Sequence, residues 1–239
     1  MNTLPKYLPA DARRAATVEA VVALAAVQNP SEITTAAIAK RMGVTQGALF
    51  RHFPSKDSIL EAVMGWVSNR LLTRLDAARA GARTPMAALE AVFLAHIDFV
   101  AAHPGVPRML FGELQRAGAT LPKQAVQVLI GHYAARITDL LKRGVEAGEI
   151  DSAIDITTAA IQFIGSIQGL VIQSTLEGKP RRMRENAPAI FALYRRGIEA
   201  RSGSAHQSLS RASLRSPPSG SSPGKRGHPR TVPRCASTE

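Results

Sequence analysis

A twenty-residue segment with a glycine near its centre constrains the fold more than any other part of this chain. Residues 34–53 read TTAAIAKRMGVTQGALFRHF. Ile38 and Met42 recur at helical spacing, and Gly43 follows them with the backbone freedom that a tight turn requires. Thr45 then supplies a side chain that can cap a second helix. The segment therefore predicts two short helices joined by a sharp turn.

The second of these helices, predicted over residues 46–52, turns a small and polar surface outward. Leu49 and Phe53 fall on its inner side at a spacing of four residues. The outer side carries Gln46, Gly47, Ala48, Phe50 and Arg51. A helix that enters the major groove of DNA needs small and hydrogen-bonding side chains on its exposed side. The segment 34–53 is therefore interpreted as a helix-turn-helix motif.

The remaining ordered sequence also reads as helix. A helix capped by Asp11 is expected before the motif, and one capped by Ser55 is expected after it, continuing through Leu75. Five further helical patterns follow, at about residues 84–103, 107–117, 121–147, 154–176 and 181–201. Neither strand alternation nor an internal repeat stands out. The sequence predicts an all-α chain of about nine helices.

The net charge of +12 is weak evidence for specific DNA binding, because half of the excess lies in a tail. Residues 201–239 contain seven basic side chains and one acidic side chain. Their Ser, Pro, Gly and Arg content cannot build a core, so we expect a disordered basic tail over 202–239. The tail either adds sequence-independent DNA affinity or is a passive extension. The motif, not the net charge, carries the functional interpretation.

Composition also narrows the compartment. The single Cys235 suits a reducing cytoplasm. No uninterrupted apolar run approaches the roughly 18 residues that a membrane span needs, and the amino terminus lacks a signal-like apolar core. We therefore expect a cytoplasmic protein with no membrane partner.

Two rival classes of function are an enzyme and a non-specific, architectural DNA-binding protein. The sequence contains no nucleophile–base pair, paired-carboxylate metal motif or phosphate loop, so we expect no enzyme activity and no cofactor. His96, His103 and His132 have no acidic or cysteine partner at ligand spacing, so no metal site is expected. The architectural alternative would use the basic tail.

Residues 10–70 resemble the DNA-binding domain of the tetracycline-repressor (TetR) family of transcriptional regulators. The resemblance rests on the spacing of Thr34-Thr35, Ile38-Ala39, Gly43-Val44, Leu49-Phe50, His52-Phe53 and Ser55-Lys56. It implies a nine-helix subunit, a homodimer on double-stranded operator DNA, and repression relieved by a small-molecule effector. The implied domains are a DNA-binding domain over 10–70, a helical effector-binding and dimerisation domain over 71–201, and the tail.

The resemblance also assigns roles to individual residues. The implied DNA-contacting residues are Thr35, Thr45, Gln46, Gly47, Ala48, Phe50, Arg51, His52 and Lys56. Many family members have a tyrosine where this chain has Phe50, so the phosphate contact of its hydroxyl is lost. Ala48 offers only apolar contact where a hydroxyl is common, which leaves Gln46 as the leading base reader. Arg51 and Lys56 would set affinity rather than sequence preference.

Two of these positions have a second interpretation. Gly47 either allows close approach of the backbone to DNA or is simply tolerated within the helix. His52 either donates to phosphate or fills the junction between two helices.

The larger domain contains candidates for an effector pocket. They are Phe93, His96, Ile97, Met109, Phe111, His132, Phe163 and Ile167. The alternative for most of them is packing within the helical bundle, which is what apolar stripes at helical spacing usually do.

The last two helices carry apolar stripes that suit a dimer interface or packing within one subunit. The candidate interface residues are Ile161, Gly165, Gly169, Ile172, Ile190, Tyr194 and Ile198. The family resemblance favours a four-helix interface between two subunits. Next to these stripes, the basic run Arg181, Arg182 and Arg184 either binds an anion or is solvated.

Overall fold

Nine α-helices and one 3-10 turn make up the described part of the chain. The computed structural model describes residues 9–200. The helices are α1 (Ala10–Ala25), α2 (Thr35–Met42), α3 (Gln46–Phe50), α4 (Lys56–Ala80), α5 (Pro85–Ala102), α6 (Gly105–Gln115), α7 (Leu121–Glu146), α8 (Ile156–Leu176) and α9 (Pro180–Ile198). The 3-10 turn covers Pro30–Glu32. The all-α class and the helix number are confirmed; the tail at 202–239 lies outside the described residues.

Capping side chains explain where most of the helices begin. A side-chain oxygen accepts a bond from a first-turn amide at Thr34, Thr45, Ser55, Thr84, Thr120 and Asp155. Each such cap is typically worth about 0.5–2 kcal/mol. The prediction of a cap at Asp11 is wrong, because Pro9 precedes the helix and Asp11 lies within its first turn. The α3 helix is also shorter than predicted, since residues 51–52 form a turn.

The first three helices and the start of α4 enclose a small core of their own. Val21, Ile38, Leu49, Phe53 and Ile59 meet there, each at most 2% exposed. This packing buries the inner side of α3 and leaves its outer side at the surface. The helix-turn-helix is thus held by burial on one side only.

The larger bundle is organised around α5, which packs against α4, α7, α8 and α9. The Phe93 ring lies 5.4 Å from that of Phe163 and 5.6 Å from that of Phe191, measured between centroids. Nearby, the buried Tyr194 hydroxyl donates to the Ala159 carbonyl at 3.0 Å. These aromatic contacts join three helices into one core.

Two helices, α5 and α8, are long and apolar enough to cross a membrane by length and composition alone. Packing of α5 among four other helices accounts for its mean hydropathy of 1.5. The α8 helix, at 1.3, buries one side against α7 and α9. Its other side, including Ile161 and Ile172, is exposed.

The α6 helix connects the two bundles. Gly105, its first residue, lies so close to α1 that an added Cβ would be 2.6 Å from the backbone carbonyl carbon of Ala25. At the other end of α6, Arg116 donates to Asp57 of α4 at 2.9 Å and to Glu113 at 3.1 Å. The α6 helix therefore contacts the small bundle at both of its ends.

Candidate functional site

The turn of the helix-turn-helix depends on two local devices. Gly43 has a φ of 68°, a left-handed conformation that glycine adopts without the steric cost of a Cβ. The Thr45 hydroxyl accepts from the Ala48 amide at 3.2 Å and so starts α3. Together they direct the amino end of α3 away from the small core.

The outer side of α3 is open to solvent. Most of the residues expected to contact DNA are exposed: Thr45, Gln46, Gly47, Phe50 and Arg51. Phe50 retains 42% of its surface, so core packing does not account for this aromatic side chain. Ala48, His52, Thr35 and Lys56 are half-buried. All nine positions therefore keep accessible surface.

Gln46, the candidate base reader, is tied to the other helix of the motif. Its Nε2 donates to the Thr35 hydroxyl at the start of α2. The contact draws two candidate DNA-binding residues together across eleven positions of sequence. A bidentate contact to adenine needs both the amide nitrogen and the amide oxygen of a glutamine. The amide nitrogen carries two hydrogens, so Gln46 can make that contact and keep its bond to Thr35.

Arg14 is a residue of the motif's surroundings that the sequence interpretation overlooked. Its Nη1 donates to the His52 carbonyl at 2.9 Å, and its guanidinium lies 4.6 Å from the centroid of the Phe53 ring. Both contacts fix the turn that follows α3. A single arginine on an exposed helix side carries no local signal for such a role, because its partners are 38 residues away.

Lys56 begins α4 beside the 3-10 turn. Its Nζ donates to the Ser31 carbonyl at 3.4 Å, a long and weak bond. Its neighbour Asp57 pairs with Arg116. Lys56 is therefore held loosely enough for its ammonium group to contact a phosphate instead.

Gly47 has no packing reason to be glycine, because an added Cβ would meet nothing within 4 Å. Gly47→Ala is expected to stabilise the fold by up to about 1 kcal/mol through helix propensity. The predicted close approach of the α3 backbone to DNA at Gly47 would leave no room for the methyl group, so binding to a specific DNA duplex is expected to weaken about tenfold. Thermal unfolding and fluorescence-anisotropy titration measure the two effects.

Gly65→Ala on α4 is the matched control for that change. Gly65 is also an exposed helical glycine with nothing within 4 Å of its added Cβ. It should gain similar stability and bind DNA as the wild type does. Unchanged DNA affinity in Gly47→Ala would mean that the glycine is merely tolerated.

The larger bundle contains an apolar cavity between α4, α5, α6, α7 and α8. The space between its lining atoms, including the open mouth, is about 720 Å³. The lining residues are Val67, Leu71, His96, Phe99, Val100, Val106, Pro107, Leu110, Phe111, Leu129, Ile130, Tyr133, Ile164, Ile167, Gln168 and Val171. Much of that volume is open to solvent, and the part that admits the centre of a water-sized sphere is about 90 Å³.

Three of the eight residues predicted for an effector pocket line this cavity, namely His96, Phe111 and Ile167. The other five lie elsewhere: Phe93, Ile97 and Phe163 are packed in the core, Met109 borders a groove between the bundles, and His132 is exposed. Rotation of each helix decides the difference, because neighbouring positions point about 100° apart.

Tyr133 lines the cavity and was not among the predicted residues. Its hydroxyl lies 3.1 Å from Nδ1 of His96. A signal for it exists in the sequence: Val126, Leu129, Tyr133 and Ile137 share one side of α7 at helical spacing, whereas His132 does not. Following that stripe selects the tyrosine.

The predicted dimer residues divide between surface and core. Ile161 is 66% exposed and Ile172 45% exposed, and Gly165 and Gly169 lie exposed between them on α8. On α9, in contrast, Tyr194 and Ile198 are buried within the subunit, and Ile190 is half-buried. The surface position on that stripe is Leu193. Tyr194 and Ile198 therefore belong to the subunit core, where a partner cannot reach them.

Two of the three arginines at the start of α9 are paired with carboxylates. Arg182 contacts Glu177 at 2.9 Å, and Arg184 contacts Asp98 at 2.8 Å. Arg181 is exposed. The pairing neutralises much of the basic run and favours solvated surface over an anion site.

Two family models match the chain. Residues 18–63 match the model of bacterial regulatory proteins of the tetR family, and residues 117–190 match that of the tetracyclin repressor-like C-terminal domain. Among curated proteins, the nucleoid occlusion factor SlmA of Marinomonas sp. is 27% identical over 175 residues, which cover 70% of this chain and 87% of that protein. SlmA of Haemophilus ducreyi is 34% identical, over 36% of this chain and 42% of its own.

Solved structures share the fold. The regulator FadR from Bacillus subtilis, in complex with stearoyl-CoA, has a TM-score of 0.70 at 20% identity, over 77% of this chain and 98% of its own. The regulator KstR2 of Mycobacterium tuberculosis has a TM-score of 0.64 at 19% identity, over 79% and 96%. The motif, the nine described helices and both family models agree, and the chain belongs to the TetR family of DNA-binding transcriptional regulators.

Proposed function

We propose that this protein is a ligand-responsive repressor that binds a pseudo-palindromic operator as a homodimer and is released by a small-molecule effector. The observation that carries the proposal is the open outer side of α3, where Gln46, Gly47 and Arg51 are exposed behind a turn fixed by Gly43. These are the residue types that enter a major groove and contact its edges and its phosphates.

Reading of the operator would centre on Gln46. In the free protein its amide is held by Thr35, which limits the orientations that it explores. On DNA the amide would pair with an adenine, and the Thr35 hydroxyl, which accepts from Gln46, would donate its own hydrogen to the adjacent phosphate. Arg51 and Lys56 would contact the backbone and set the register of α3.

Two copies of α3 must be presented together for a palindromic site. Successive major grooves on one side of the duplex are about 34–36 Å apart. The exposed apolar side of α8, with Ile161 and Ile172 flanking Gly165 and Gly169, supplies a surface through which two subunits can pair. Leu193 of α9 adds a further exposed apolar side chain. The two glycines would allow the α8 helices to approach closely.

The apolar cavity would receive the effector. The similar FadR structure is a complex with stearoyl-CoA, which supports a role for a small-molecule ligand in a protein of this fold. In this chain Leu110 and Phe111 of α6 line the cavity, while Gly105 and Arg116 of the same helix contact the small bundle. A ligand that favours one position of α6 would favour arrangements of the dimer in which the distance between the two α3 helices no longer matches the operator.

The proposed domain boundaries separate DNA binding from effector binding and dimerisation. Residues 10–70 would read DNA, and residues 71–201 would bind the effector and the second subunit. The boundary falls inside α4, which runs unbroken from Lys56 to Ala80 and joins the two parts as one rod. A regulator of chromosomal transcription would act in the cytoplasm, and the tail at 202–239 would be a passive extension.

The direct test is footprinting of the full-length protein on the DNA that flanks its own gene. A protected palindrome whose half-sites are one helical turn apart is the expected result. Protection that spreads evenly along the duplex, with no preferred site, would contradict the proposal.

Gln46→Ala is expected to relax base preference at one position in each half-site. Each bidentate contact to a base contributes about 1–3 kcal/mol of discrimination. Affinity for random duplex should change little, because Gln46 carries no charge. Competition titrations with operator variants measure the preference position by position.

Lys56→Ala is the contrasting change. It should weaken operator and random DNA alike and flatten the dependence of affinity on salt concentration, because one phosphate contact is lost. Equal losses on operator and random DNA for Gln46→Ala would remove Gln46 from its assigned role.

A second candidate function is suggested by the curated relatives, which are nucleoid occlusion factors. That name is consistent with the architectural alternative, in which the protein would bind DNA at many places. Mapping bound sites across the whole genome separates the two. A few sites beside promoters support the repressor, whereas many sites away from promoters support the relatives' role.

A further inference from the structure

The cavity of the larger bundle has one polar corner in an otherwise apolar wall. That corner is formed by His96 of α5 and Tyr133 of α7, with Nδ1 and the hydroxyl oxygen 3.1 Å apart. The two rings meet edge to face at 5.2 Å. Gln168, at an exposed position of α8, is the remaining polar residue of the lining. The rest of the wall is hydrocarbon.

The wall carries no charge at neutral pH. Among the lining residues in the described part of the chain, none is Lys, Arg, Asp or Glu. Desolvation by the surrounding protein lowers the pKa of His96 to about 4, so its ring is neutral at pH 7. Burial also raises the pKa of the Tyr133 hydroxyl, which stays protonated. An ion entering the cavity would lose its hydration without gaining a counter-charge.

The His96–Tyr133 pair leaves one hydrogen-bond donor for a ligand. A neutral histidine has one N–H, and the tyrosine has one O–H. One of these hydrogens joins the two residues, whichever tautomer the histidine adopts. If Tyr133 donates to Nδ1, the N–H remains on Nε2; if Nδ1 donates to Tyr133, the O–H remains. One donor is left in either case, and neither side chain has another hydrogen bond within residues 9–200.

We propose that the cavity selects an uncharged, mainly apolar molecule with a single hydrogen-bond acceptor, such as a carbonyl oxygen, held by the His96–Tyr133 pair. The inference rests on the proposed role of this cavity as the effector site. The acceptor pairs with the remaining donor, and the hydrocarbon body fills the apolar wall. Carboxylates, phosphates and ammonium groups are excluded because nothing in the wall pairs with their charge.

Three nine-carbon probes with different head groups test this selection: 2-nonanone, nonanoate and nonylammonium. Isothermal titration calorimetry on the full-length, DNA-free protein at pH 7 gives their dissociation constants. The ketone should bind at least about tenfold more tightly than either ion, since burying an unpaired charge opposes binding strongly. Binding of nonanoate as tight as that of the ketone, or no binding of the ketone, would overturn the proposal.

The double variant His96→Phe/Tyr133→Phe tests the polar corner, because either change alone leaves one hydrogen-bond donor. The double variant removes both donors and retains two aromatic rings, and it should weaken ketone binding about five- to tenfold. Tyr194→Phe is the matched control, because it also removes a buried hydroxyl in the same bundle but one that bonds Ala159 and does not line the cavity. Equal effects of both variants on the ketone would overturn the role of the pair.

Release of operator DNA is measured separately, with the footprinted duplex and the same probes. Ketone binding that weakens in the double variant supports the assignment of ligand class even where the operator stays bound, and then it is the effector role that fails. Release of the operator by nonanoate but not by the ketone overturns the assignment of ligand class.

Discussion

Ile161→Asp is expected to convert the protein from a dimer to a monomer and to abolish detectable operator binding at concentrations where the wild type is saturated. Ile161 is 66% exposed, so the aspartate costs the isolated subunit little. The proposed interface would contain this aspartate from each of the two subunits, and both would be buried without a partner. The effective penalty for such a charge is several kcal/mol per ion. The dimer dissociation constant should therefore rise at least about a hundredfold.

Loss of the dimer weakens DNA binding because a single subunit contacts only one half-site. The gain in affinity that comes from binding two half-sites at once is then lost. Sedimentation velocity measures the mass, and anisotropy titration of operator DNA measures the affinity. Circular dichroism of the variant should match the wild type, because Ile161 does not belong to the subunit core.

Val128→Asp is the control for introducing an acidic residue at an exposed apolar position. Val128 is 56% exposed and lies on α7, a different helix from the one that carries Ile161. The variant should remain dimeric and should bind operator normally. A dimeric Ile161→Asp with wild-type affinity would exclude this side of α8 as the interface.

Helix boundaries were predictable because they are set by local chemistry. Thr34, Thr45 and Ser55 cap α2, α3 and α4 with bonds to amides three residues away, and Gly43 makes the turn. None of these features requires knowledge of the tertiary fold. The predicted cap at Asp11 failed for the same local reason, since Pro9 occupies the N-cap position and leaves Asp11 within the first turn.

Side-chain environments were less predictable, because they depend on how each helix is rotated within the bundle. His96 faces the cavity while Ile97, one position later, is packed in the core. His132 is exposed while Tyr133 lines the cavity. A sequence pattern identifies an apolar stripe but does not say whether a neighbouring helix, a cavity or a second subunit covers it. Tyr194 illustrates this, because its stripe is covered within the subunit.

Contacts between distant segments gave no sequence signal at all. The bonds from Gln46 to Thr35 and from Arg14 to His52 join residues that only the folded motif brings together. Both modify the expected site, since they restrain side chains that look free in the sequence. The DNA-reading surface is therefore partly pre-organised, which lowers the entropy lost on binding.

Gly105→Ala is expected to destabilise the protein by about 1–3 kcal/mol, the usual cost of overpacking. The added Cβ would lie 2.6 Å from the backbone carbonyl carbon of Ala25 and 2.7 Å from the backbone nitrogen of Ala26. Backbone atoms cannot rotate away as a side-chain tip does, so α6 must move relative to α1. For a chain of this size, each kcal/mol lowers Tm by about 2–4 °C.

Gly112→Ala, on the same helix, should have the opposite sign. Its added Cβ would meet nothing within 4 Å, so only helix propensity changes, and a gain of up to about 1 kcal/mol is expected. Differential scanning calorimetry measures Tm for both variants. The substitution is the same in each, so the comparison isolates the effect of the close contact at Gly105. Stabilisation by both substitutions would show that α6 does not press on α1 at Gly105.

The Gly105 contact also decides how firmly the cavity is connected to the DNA-reading bundle. A second contact between α6 and that bundle, Arg116 with Asp57, is about 40% exposed on both sides and contributes at most about 1 kcal/mol. Close packing at Gly105 is therefore the stiffer connection. Gly105→Ala should reduce the fold-change in operator affinity that an effector produces, whereas Arg116→Ala should leave most of it. An undiminished response in Gly105→Ala would place the coupling elsewhere in the bundle.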